Sequence, residues 1–130
     1  MALDFKATLR VFSKTHSLSE LASVLGKPKI GFSIGDEFSK GKNVREHTYW
    51  SIDSTNIEER DSFDNHVSEV LNFYDIKKDE LLRLRSESCE VNIFCLFASD
   101  NGQGGAKLSA DTMERLSKLN LDLIFDVYAE

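Results

Sequence analysis

Gly31-Phe32-Ser33-Ile34-Gly35 has the Gly-x-Ser-x-Gly spacing of a hydrolase nucleophile elbow. That chemistry needs a strained strand-to-helix turn that exposes the serine hydroxyl, with an acid and a histidine later in the chain. Here a helix pattern and Pro28 precede the match, a polar loop follows it, and His47 and His66 fall at a strand start and in a helix. The match reads as fortuitous, and no enzyme activity is expected. Asn101-Gly102-Gln103-Gly104-Gly105 lies between a predicted strand and a helix N-terminus, where backbone amides favour an anion. No Gly-Lys-Ser/Thr ending follows, and Lys107 and Ser109 are wrongly spaced for a phosphate loop, so the glycines read as a flexible connector. His66 and Glu69, three apart on a predicted helix, offer two metal ligands with no second pair to complete a site. No metal and no cofactor are expected. Carboxylates such as Glu58, Glu59 and Asp61 are close in sequence, but 22 acidic residues make a chance cluster ordinary.

Charge gives a better lead. Between Lys27 and Arg45 the chain holds Lys27, Lys29, Lys40, Lys42 and Arg45 against Asp36 and Glu37, a balance of +3. The remainder carries 11 basic and 20 acidic residues, or −9. A basic loop on an acidic body reads either as a lysine-solubilised loop or as a contact site beside Trp50, whose ring could line a pocket or anchor an interface. The candidate binding residues are therefore Trp50, Lys40, Lys42 and Arg45. Two functional classes follow: a non-catalytic protein that binds a protein partner, and a small-molecule or anion sensor that uses the basic loop and Trp50.

These residues need a scaffold, and 130 residues with 41% hydrophobic content and nine Phe supply a core for a single domain spanning 1–130. A formal charge of −6 and a pI near 5.1 argue against a general nucleic-acid binder, which needs a basic footprint. The N-terminus alternates like a strand instead of resembling a secretion signal, and the longest apolar run, Ile93 to Ala98, is far short of the roughly 20 residues that span a bilayer. No membrane association and a cytoplasmic location are expected. Cys89 and Cys95, six apart on one strand, lie about 20 Å from each other at ~3.3 Å per residue, too far to pair. They read as buried thiols.

Alternation predicts strands at 4–13, near Ile30 to Gly35, through Tyr49, Trp50 and Ile52, and from Cys89 to Ala98. Ser17-Leu18-Ser19-Glu20 is a capping box that opens a helix stopped by Gly26 and Pro28. A helical region covers about 62–87, with a break between Asp75 and Lys78 where Ile76 leaves the apolar stripe. Ser109 caps a last helix in which Met113, Leu116 and Leu119 recur at helical spacing, and Leu108 and Met113 stand at hydrophobic-staple positions. Leu121, Leu123, Phe125 and Val127 then alternate as a strand expected to lie inside the sheet. The order βαββαβαβ predicts a two-layer α+β fold. It has a five-stranded, mainly antiparallel or mixed sheet with helices on one face, a ferredoxin-like core plus an extra αβ. A homodimer through a sheet edge is a further expectation.

Leu25-Gly26-Lys27-Pro28, Gly35-Asp36, Trp50-Ser51-Ile52-Asp53-Ser54, Leu108-Ser109 through Leu116, and Phe125-Asp126-Val127-Tyr128 occur in an order and spacing that resemble a small bacterial family. It is the domain-of-unknown-function family four-two-seven-nine. The resemblance covers nearly the whole chain. The family often has an aromatic residue and a lysine before the glycine matching Gly35, where this chain has Ser33 and Ile34. The resemblance implies no established activity. It suggests an immunity-type, toxin-neutralising role only by association.

Overall fold

Strand alternation sets the sheet. In the computed structural model, which describes residues 3–129, β1 (Leu3–Ser13) buries Phe5, Ala7, Leu9, Val11 and Ser13 and leaves the alternate residues half-exposed. This is the pattern expected when one face of a pleated strand packs and the other meets water. α1 (Leu18–Leu25) begins at Ser17 with the predicted capping box, in which the Ser17 hydroxyl accepts the Glu20 amide and the Glu20 carboxylate accepts the Ser17 amide. β2 (Ile30–Phe32) and β5 (Thr48–Asp53) follow, separated by β3 (Glu37–Phe38) and β4 (Asn43–Val44). Then come α2 (Phe63–Ile76), α3 (Lys78–Ser86), β6 (Glu90–Ser99), α4 (Ala110–Lys118) and β7 (Leu123–Ala129). The predicted helix break falls at Lys77, between α2 and α3.

The fold is α+β with a mixed five-stranded sheet in the order β2-β5-β1-β6-β7. β2 and β5 pair antiparallel, Gly31 opposite Trp50, whereas β6 and β7 pair parallel from Ile93↔Leu123 to Ser99↔Ala129. The parallel pair requires a crossover, and α4 supplies it. Counting the four strands of the βαββαβ unit that share this sheet, the spatial order is second, third, first, fourth, the ferredoxin-like arrangement expected from the element order.

Three local expectations are corrected. The polar stretch 36–46 is no plain loop, since β3 and β4 form a separate antiparallel hairpin with Glu37 opposite Val44 and Phe38 opposite Asn43. β7 lies at the sheet edge and not inside it, with Phe125 53% and Val127 62% exposed. Apolar alternation reports which face of a strand packs and is silent on whether it has a neighbour on both sides. In α4 the inward positions are held by Thr112 and Leu116, and Met113 is half-exposed, so it makes no buried staple. Thr112 tolerates burial because its hydroxyl accepts a hydrogen bond from Ser109.

Two compact units share the chain. Among described residues, the first comprises 3–9, 53–76 and 92–129, and the second 10–52 and 77–91. In the first unit, α2 and α4 are tied twice. Asp64 accepts the Ser109 amide at 2.8 Å, and Arg115 donates to Asn72 at 3.1 Å and Asp75 at 2.9 Å. Burial pushes the Asp64 carboxyl up, and the Ser109 amide with the Thr112 and Ser109 hydroxyls outweighs it, so the group is held below its usual range. In the second unit, His16 links α1 to the end of α3 through Glu20 at 3.1 Å and Glu87 at 3.0 Å.

Candidate binding surface on the basic hairpin

The basic window folds around one arginine. Arg45 follows β4, and its backbone joins the segment after β2: its amide donates to Asp36 O at 2.8 Å and its carbonyl accepts from Gly35 at 2.9 Å. The side chain lies between two rings, with its guanidinium carbon 4.0 Å from the Phe32 centroid and 3.9 Å from the Phe38 centroid. Both distances are well inside cation–π range, and a flat guanidinium suits a place between aromatic faces better than an ammonium does. At the hairpin tip, Lys42 N–H closes a turn on Ser39 O, and its central residues Lys40 and Gly41 both have positive φ. Lys40 and Lys42 are exposed there.

The rings continue past Arg45. Phe32 stacks on Tyr49 at 5.3 Å with an interplanar angle of 24°, and Phe12 meets Tyr49 at 5.2 Å and His47 at 5.1 Å. Arg10 stands 5.1 Å over the Phe12 ring. Phe12, Phe32, Phe38, His47 and Tyr49 are all half-buried, so this part of the second unit presents an aromatic surface edged by cations. A shallow recess of about 320 Å³ beside Phe12 and His47 adds Lys14, Ser88 and Glu90. Sequence reasoning found Lys40, Lys42 and Arg45 but missed the rings that hold Arg45. The available signal was Phe38 and Arg45 on either side of Ser39-Lys40-Gly41-Lys42.

Trp50 is placed elsewhere, which corrects its assignment as a contact residue. It is 0% exposed, and its indole Nε1 donates to Gly26 O at 2.9 Å. Thr48, also buried, accepts the Ile34 amide and donates to His16 O. Trp50 thus shares the buried face of β5 with Thr48, whereas Tyr49 points with the half-exposed rings. The enclosed ring is therefore not on the surface that Lys40 and Lys42 share.

The other chemistry-bearing motifs have structural partners. The Ser33 hydroxyl accepts the first amide of α1, from Leu18 at 2.7 Å, and the Ser33 amide donates to Asp36 at 2.7 Å. The segment after Ser33 leads into a hairpin strand and not into the helix that an elbow requires. In the first unit the Asp64 carboxylate sits at the N-terminus of α4, where it accepts the Ser109 amide and hydroxyl and so supplies the negative charge that this helix end favours. His66 is buried with both ring nitrogens bonded, Nδ1 to the Ser54 hydroxyl at 2.6 Å and Nε2 to Glu58 O at 3.0 Å. Cys89 and Cys95 are free and buried; burial raises the Cys89 thiol and pushes Cys95 up to about 12.

A family model described as Domain of unknown function (DUF4279) matches residues 4–130. The chain belongs to this family. Neither the curated proteins nor the solved structures gave a match. Membership agrees with the resemblance carried by Gly35, Trp50 and Asp126 to Tyr128, and it brings no activity with it. Just before Gly35, Ser33 binds the α1 amide and Ile34 donates its own amide to Thr48. Among described residues, no helix is long and apolar enough to cross a membrane.

Proposed function

We propose that this chain is a non-catalytic binding protein that engages an acidic surface of a partner protein with its basic hairpin. The observation that carries this reading is the Arg45 side chain held between Phe32 and Phe38. A surface loop made basic only for solubility needs no such support. A hairpin braced by two ring contacts is ordered before binding, and pre-ordering lowers the entropic cost of association. Lys40 and Lys42 at its tip then steer an acidic partner, and the half-buried rings of Phe12, Phe32 and Tyr49 supply apolar contact area behind them. Toxin neutralisation is one form of this activity, because covering another protein's surface requires contact area and no reaction. The cytoplasm is the proposed site of action.

Amine-reactive crosslinking in native lysate tests the surface assignment. Crosslinks to one acidic protein should start mainly at Lys40 and Lys42. Crosslinks concentrated at Lys77, Lys78 or Lys118 would contradict it.

A further inference from the structure

The first unit carries a second surface that the hairpin reading does not use. Four phenylalanines form a chain of ring contacts centred on Phe97. Its ring meets Phe5 at 5.2 Å, Phe63 at 4.8 Å and Phe125 at 5.5 Å, each nearly edge-on. Phe5 and Phe63 are buried, but Phe125 is half-exposed. The aromatic layer therefore ends in an open recess of about 370 Å³, between the start of α2, strands β6 and β7, and the loop at 102–108. Leu3, Phe63, Phe97, Leu108, Phe125 and Val127 supply its apolar wall.

Two features make this more than an exposed edge. First, among the described residues none that lines it is charged. Two of its polar residues make bonds within the loop itself: the Ser99 hydroxyl donates to Gln103 O at 2.6 Å, and the Gln103 backbone amide donates to Asn101 Oδ1 at 3.0 Å. Second, the loop wall is closed by glycine. Gly104 has φ +155°, and a Cβ there would stand 2.7 Å from a Leu3 methyl. The loop can lie against Leu3 because that position has no side chain. The volume falls within the range of small-molecule sites, which are concave and mainly apolar.

The geometry points to a binding site for a small, uncharged, largely apolar molecule, aromatic or branched aliphatic, held against Phe97, Phe125 and Val127. A neutral ligand fits because a charged one would lose its hydration without gaining a partner. Concavity on three sides favours a small molecule over a second copy of the strand, since edge-to-edge strand pairing would leave the recess open.

Indole tests the site, with indole-3-acetate as its charged counterpart, by amide NMR titration of the whole chain. Indole should shift the Gly102, Gly104 and Gly105 amides saturably, and indole-3-acetate should bind at least tenfold more weakly. Val127→Lys, at an exposed position that should not disturb folding, should abolish the shifts while the remaining spectrum stays native-like. Phe125→Ala should weaken binding several-fold. The proposal is overturned by the absence of saturable shifts with indole, by equal binding of both probes, or by unchanged binding in Val127→Lys. Shifts that follow protein concentration without probe would also overturn it, since they would show a second copy covering this face.

Discussion

The Ser54 hydroxyl donates to Nδ1 of His66 across 2.6 Å. The direction follows from the other nitrogen. Nε2 faces the Glu58 carbonyl, which can only accept, so in the neutral ring Nε2 carries the proton and Nδ1 accepts. Ser54 Oγ also accepts the Ala7 amide at 2.9 Å, and the Ser54 amide returns a bond to Ala7 O. One side-chain pair thus fastens the segment after β5 to both β1 and α2. Ser54→Ala would leave the His66 nitrogen and the Ala7 amide unpaired in a buried place, at a cost of about 1–3 kcal/mol. Urea denaturation should show this loss, and His66→Phe should show one of similar size. No loss in either variant would mean that the pair contributes nothing to folding.

Trp50 makes the opposite demand on an experiment. Because its ring is enclosed, Trp50→Ala should remove about 3–5 kcal/mol of stability through the cavity it leaves. Trp50→Phe, which keeps most of the ring and loses the donor to Gly26, should cost less. Thermal melts will separate the two. A Trp50→Ala variant as stable as the parent would show that the ring is not in the core. Any loss of partner binding in Trp50→Ala must be judged against its folded fraction.

Acid and base should both weaken the His16 link, each through a different partner. The Glu20 hydrogen bond, followed by Glu87 and opposed by partial burial, raises the His16 pKa above 6.5. The bond to His16, then the Ser17 amide, lowers that of Glu20 below 4.5. A raised histidine stabilises the fold fully below its unfolded value and loses that contribution as pH rises through its folded pKa. A lowered carboxylate stabilises above its unfolded value and loses its contribution as pH falls through the folded one. The link should therefore be strongest between 4.5 and 6.5. The stability gap between the parent and His16→Ala should be larger near pH ~5.5 than near pH ~9. The reverse order would contradict the assigned contacts.

Thiol chemistry offers a direct check of burial. Burial disfavours the thiolate at both cysteines, most strongly at Cys95, and the thiolate is the reactive form. A disulfide reagent should leave both nearly unmodified in the native protein and titrate both in urea. Rapid modification of Cys95 without denaturant would contradict its placement.

Much of this was legible in the residues. The alternation of Phe5, Ala7, Leu9 and Val11 specifies β1, the Ser17 and Glu20 pair specifies the start of α1, and the phase slip at Ile76 marks the helix break. Such features depend on neighbours in sequence. The hairpin was harder to see because β3 and β4 have two residues each, too few to show a period. Lys40, Lys42 and Arg45 stood out by charge, whereas the Phe32 and Phe38 contacts of Arg45 depend on how the chain turns between them. Trp50 was misplaced because an aromatic residue suits either face of a strand, and only the sheet decides which face is covered.

The proposed function rests on the basic hairpin, so the decisive measurement is paired affinity capture. Tagged parent protein and a Lys40→Glu/Lys42→Glu variant would each be incubated with native lysate and culture medium, and the captured proteins quantified by mass spectrometry. Both lysines are exposed, so the variant should melt like the parent. The account predicts one near-stoichiometric acidic protein with the parent, reduced at least tenfold with the variant. Equal capture by both, or no specific protein with the parent, would contradict it.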